Sequence, residues 1–158
     1  MTKKRIMIVC LLAAVVAAFS IVPLAASAER DQRLVMSIRV DFTSATQAVG
    51  TFAACCAVND SGSAQADVTS FIPKANNTAS FEATETLAGS KGDITLALRG
   101  TTGPLDSPNH IARGKWKVVG GTGAYVDLRG HGTFTAVTNQ ATGALTAINQ
   151  GKARGGRG

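Results

Sequence analysis

The sequence predicts an all-β protein: an eight-stranded antiparallel β-barrel behind an N-terminal signal peptide. Three observations predict it. Apolar and polar residues alternate with a period of two in segment after segment, the pattern of strands with one buried face. Gly, Asn, Asp, Ser and Pro recur between those segments, where turns need them. No amphipathic helix pattern follows the leader. Strands joined by short polar turns give a sandwich or a barrel. Eight strands suit a small barrel, and closure removes the unpaired edges of an open sheet.

Residues 1–28 read as a secretory signal peptide. Lys3, Lys4 and Arg5 precede an uncharged apolar run from Ile6 to Val22, and Ala26-Ser27-Ala28 offers small residues to a signal peptidase, which places cleavage near Ala28. The weaker alternative is an uncleaved anchor, since the run nearly reaches the roughly 20 residues of a membrane span. Cys10 lies inside the run and not at the cleavage point, so no lipid anchor is expected. The mature chain is then secreted, extracellular or periplasmic, and free of the membrane. Residues 29–150 form the barrel domain, and 151–158 a flexible, basic, Gly-rich tail.

This division changes the meaning of the +6 formal charge. Lys3, Lys4 and Arg5 belong to the leader and Lys152, Arg154 and Arg157 to the tail, which leaves 29–150 electrically balanced. A balanced body does not predict a nucleic-acid surface.

The strands follow in order. Leu34 to Asp41 alternates, with Leu34, Met36, Ile38 and Val40 on one face. Gly50 to Val58 places Phe52, Ala54, Cys56 and Val58 on one face and small residues on the other. Asn59-Asp60-Ser61-Gly62 is turn chemistry. Gln65 to Ile72 is closed by Pro73, which cannot donate to a ladder. Ser80 to Leu87 and Asp93 to Arg99 form a hairpin about Gly89-Ser90-Lys91-Gly92. Gly100 to Arg113 reads as a long irregular connection over a barrel mouth. Lys115 to Val119 puts Trp116 and Val118 opposite two lysines, and Ala144 to Asn149 supplies the last strand. Outward Arg39, Glu82 and Lys117, with few aromatics, argue against a membrane barrel.

Cys55 and Cys56 are the only cysteines after the leader. Adjacent strand residues point to opposite faces, so one thiol is expected in the core and the other near the surface, with a strained vicinal bridge as the alternative.

The chemical signals are sparse. Gly121-Thr122-Gly123 lacks the third glycine and the helix of a dinucleotide site, because position 126 is Val126. Asp60-Ser61-Gly62 has no histidine in order for a nucleophilic serine. His110 and His131 have no partners at metal-ligand spacing, so neither a metal nor a cofactor is expected.

One stretch carries a resemblance. Val119-Gly120-Gly121-Thr122-Gly123, then Tyr125, then Arg129-Gly130 resembles the corner of the allene oxide cyclase and dirigent barrels, where a strand ending in Val-Gly-Gly-Thr-Gly leads through an aromatic residue into Arg-Gly and the next strand. The resemblance implies a calycin-like, eight-stranded barrel with a largely apolar interior, and homo-oligomers, as in the trimeric plant members. Those members steer reactive hydrophobic intermediates. Here it marks Arg129, which matches an arginine of the dirigent motif, and Tyr125 as candidate ligand-binding residues. Trp116, on the strand leading into the corner, joins them. Gly120, Gly121, Gly123 and Gly130 are then the structural corner motif. The counterparts of the acidic pocket residues of the plant proteins are not found, and no residue is put forward as catalytic. The expected function is binding of a small hydrophobic ligand without turnover. A cyclase-like or dirigent-like enzyme guided by Arg129 and Tyr125 is the alternative, and a structural cell-envelope protein the further one.

Overall fold

The computed structural model describes residues 30–156; the expected leader and cleavage site lie outside the described residues. Eight strands close into one antiparallel barrel in sequence order: β1 Gln32–Phe42, β2 Gln47–Cys56, β3 Asp60–Lys74, β4 Thr78–Gly89, β5 Asp93–Gly103, β6 Asn109–Gly121, β7 Arg129–Asn139 and β8 Ala144–Arg154. A single 3-10 turn, Gly123–Tyr125, joins β6 to β7. β8 pairs with both β7 and β1, so the sheet has no free edge.

The strands outrun the sequence reading at several ends, for one physical reason: in a closed sheet a ladder continues wherever a neighbour continues. β8 carries on through Gly151, Lys152, Ala153 and Arg154, which pair with β1 at Gln32, Arg33 and Leu34 and with β7 at Arg129 to Gly132. Residues 151–154 are therefore strand, not flexible tail. β5 and β6 extend through Gly100 to Gly103 and Asn109 to Arg113, which shortens the expected long connection to Pro104–Pro108. Pro73 stays inside β3 because the β2 ladder ends at Asp67, so the proline faces a pairing partner, Ala79 of β4, on one side only. Asp60 belongs to β3, opposite Ala54, and not to a turn.

The interior divides into two halves. Toward the β2–β3, β4–β5 and β6–β7 connections, Leu34, Met36, Phe52, Leu87, Ile94, Leu96, Trp116 and Leu128 fill the lumen and are buried. Each such aliphatic side chain contributes about 1.5–3 kcal/mol by leaving water. Toward the other end the inward positions are small: Ala48, Ala66, Ala83, Ala112, Ala136 and Ala147. Six strands that place alanine where the packed half places leucine or an aromatic leave space. Outside, Arg39, Glu82 and Lys117 are exposed.

A candidate ligand cavity with a polar floor

The alanine half of the barrel holds a cavity of about 670 Å³, within the size range of small-molecule sites. Its wall is apolar. Phe42, Leu98 and Leu145 contribute alongside the alanines, and half-exposed Phe71 stands among the lining residues of this open end. Ser44, Ala45 and Thr46 of the β1–β2 turn and Asn139, Gln140 and Gly143 near the β7–β8 turn surround the mouth.

Two aromatic rings shape one side. Phe81, Gly100, Gly114 and Phe134 lie in one row across β4 to β7. The rings meet edge to face over the two glycines, with centroids 5.9 Å apart and planes at 61°. A Cβ on Gly114 would come within 2.7 Å of the Phe134 ring. The glycines are thus the recess that lets the rings fold against the wall.

The floor carries the only fully sequestered polar pair on the cavity wall among the described residues. Glu85 sits on β4 between inward Ala83 and Leu87, and Asn149 on β8 after inward Leu145 and Ala147. These strands lie four positions apart around the closed ring. The two side chains meet across the lumen, Asn149 Nδ2 donating to Glu85 Oε2 over a long 3.4 Å. Burial pushes the Glu85 carboxyl up to about 7, against the opposing effect of the Asn149 hydrogen bond, so near neutral pH it is poised between acid and carboxylate. Asn149 is fully buried, and its Oδ1 has no hydrogen-bond partner. A buried acceptor without a donor costs about 1–3 kcal/mol, and here it belongs to a residue of the cavity lining.

At the mouth, His110 Nε2 donates to the Leu105 carbonyl at 3.1 Å, while the Gln140 side-chain amide donates to His110 Nδ1 at 2.9 Å. The neutral Nε2–H tautomer satisfies both contacts.

The opposite end is shut. Asp60 accepts five hydrogen bonds: from Ser61 N at 2.8 Å, Ser90 N at 3.1 Å, Ser90 Oγ at 2.8 Å, Lys91 N at 3.1 Å and the Tyr125 hydroxyl at 2.8 Å. Desolvation raises its pKa, but the bonds from Ser90, Tyr125, Lys91 and Ser61 outweigh it and hold the carboxyl well below the usual range. Burial, followed by the Asp60 contact and charge, raises the Tyr125 phenol. This node ties the β4–β5 turn and the Gly-rich corner to the start of β3.

The sequence candidates fall outside the cavity. Tyr125 is bound to Asp60 at the shut end. Arg129 is exposed, its Nη1 donating to the Leu128 carbonyl at 3.0 Å. Trp116 is buried in the packed half, its Nε1 donating to the Thr133 carbonyl at 3.1 Å. None of the three lines the cavity wall. Two of the corner glycines meet backbone demands: Gly123 has φ +56°, and a Cβ on Gly121 would strike the Tyr125 carbonyl oxygen, whereas Gly120 has room for a Cβ. Glu85 and Asn149, which do line the cavity, are not among the sequence candidates. Their signal is a carboxylate and an amide interrupting the apolar face of an alternating strand. Compared with known proteins, the chain matches no family model, no curated protein and no solved structure.

Proposed function

We propose that the protein is a secreted barrel of the allene oxide cyclase and dirigent-like kind that binds a small apolar molecule through a hydrogen-bond-donating head group, without converting it. One observation carries this reading: Asn149, a residue lining an apolar cavity of about 670 Å³, keeps a buried side-chain oxygen without a hydrogen-bond partner. An apolar body is favoured by the alanine and phenylalanine wall. A donor head is favoured because a hydroxyl or amide N–H reaching the floor relieves Asn149 Oδ1, whereas an ether or ester leaves it unpaired. Secretion is supported by the charged, apolar and small-residue sections of residues 1–28. The superfamily assignment is supported by the corner sequence together with the eight-stranded closure.

The test is calorimetric titration with a medium-chain primary alcohol and the methyl ether of the same chain. The alcohol is expected to bind about 10-fold more tightly, the worth of one buried hydrogen bond. If neither probe binds, the cavity reading falls. If both bind equally, the donor-head specificity falls.

Glu85 favours a second reading. A buried carboxyl raised to about 7 inside a cavity is suited to moving a proton. In that case the barrel is a cyclase-like or dirigent-like enzyme with Glu85, in place of Arg129 or Tyr125, as the group facing a reactive hydrophobic intermediate. Turnover of such a substrate by wild type that vanishes in Glu85→Gln, with binding retained, would select it.

A further inference from the structure

The two thiols at the end of β2 stand apart from the cavity and from the core. In a regular strand Cys55 and Cys56 would point to opposite sides of the sheet. Cys56 instead has φ +83°, one of only two non-glycine residues among the described residues with positive φ. This backbone turn ends β2 and brings Cys56 Sγ to 2.9 Å from Cys55 Sγ. Both residues are exposed. The expected core thiol is therefore absent: the apolar face of β2 stops at Ala54 and resumes at buried Val58.

A left-handed conformation at a residue with a side chain persists only where the surroundings enforce it, and such positions concentrate at functional sites. The surroundings here are the ladder itself. Cys55 and Cys56 remain in register with Val35 and Leu34, and Ala57 N donates to the Arg33 carbonyl at 2.9 Å just beyond them. The reversal is thus pinned on both sides, and its result is a pair of solvent-facing sulfurs in contact.

We propose that Cys55 and Cys56 form a two-electron thiol–disulfide site on the outer barrel wall, whose reaction partner is a disulfide-bearing molecule that exchanges with the pair. One thiolate attacks a sulfur of the partner R–S–S–R′, forming a mixed disulfide and releasing R′–S⁻. The neighbouring thiolate then attacks the protein sulfur of that mixed disulfide, closing the vicinal bridge and releasing R–S⁻. The protein loses two electrons and two protons, and the partner becomes two thiols. Contact with Cys56 first, then desolvation, raises the Cys55 thiol above its ordinary value, while the Arg33 guanidinium favours its thiolate. Exchange is therefore faster as pH rises, because the attacking species is the thiolate.

The experiment uses the full chain with Cys10→Ser, so that only the pair reports. The protein is equilibrated in graded mixtures of oxidised and reduced glutathione, then alkylated under acid quench and weighed intact. The expected result is one sigmoidal transition from a doubly alkylated protein to an unalkylated one weighing two hydrogens less than the unmodified reduced chain, reversed by adding reduced glutathione. Cys55→Ser and Cys56→Ser, each with one thiol left, are expected to stop at a stable glutathione adduct. Persistent double alkylation across the series would overturn the proposal, as would stable glutathione adducts or disulfide-linked dimers in the two-thiol protein.

Discussion

Asn149 and Glu85 touch across the width of the barrel, 64 residues apart in sequence, with the amide Nδ2 3.4 Å from carboxyl Oε2. The contact leaves Asn149 Oδ1 bare and the carboxyl raised to about 7. Both facts lead to measurable consequences.

The first concerns pH. Glu85 titrates near 4.5 when unfolded and about 7 when folded. A carboxyl raised in the folded state binds its proton more tightly there, so its stabilising effect is complete below pH 4.5 and fades as pH climbs through 7. Chemical denaturation at pH 5 and pH 8 should show a loss at the higher pH on the order of 3 kcal/mol, from the size of the shift. Glu85→Gln should flatten this dependence. An unchanged slope in that variant would place the titrating group elsewhere.

The cavity exists because alanines line it, so filling it should be tolerated. Ala112→Leu, on β6 in the cavity wall, is expected to hold or raise the melting temperature and to weaken binding of an apolar alcohol by at least about 10-fold, since the added side chain occupies ligand space. Equal loss of folding and binding would show that the space is not free.

The shut end should behave as a structural node. Tyr125→Phe removes the hydroxyl bond to the Asp60 carboxylate and is expected to cost about 1.5–3 kcal/mol of unfolding free energy, the usual worth of a hydrogen bond to a charged group. Asp60 has a depressed folded pKa, so its contribution holds above pH 3.8 and is lost as pH falls further. Ligand affinity should not change in Tyr125→Phe, nor in Arg129→Ala, because neither residue lines the cavity.

The corner glycines should not be equivalent. A Cβ on Gly120 meets nothing closer than Thr95 at 3.7 Å, so Gly120→Ala should stay within about 0.5 kcal/mol of wild type. Gly123 has φ +56°, and a Cβ there would strike the Lys91 carbonyl oxygen. Gly123→Ala is expected to cost about 1–3 kcal/mol, read by the shift in denaturation midpoint.

Alternation along β1, with Leu34, Met36, Ile38 and Val40 inward, was legible because the side-chain period of a strand is local and set by its own backbone. The same local logic exposes the eight strands, the Gly89 to Gly92 hairpin and the backbone role of Gly121 and Gly123 in the corner. Other features depend on register summed around the whole ring. Shear decides that Glu85 on β4 faces Asn149 on β8, that Phe81 and Phe134 close over two glycines, and that Tyr125 reaches Asp60 instead of a ligand. Closure also carries residues 151–154 into the sheet, since a ladder lengthens when both neighbours are present. At Cys56 the local rule itself gives way: one positive φ, held by pairing on either side, puts two sulfurs together that strand geometry would keep apart.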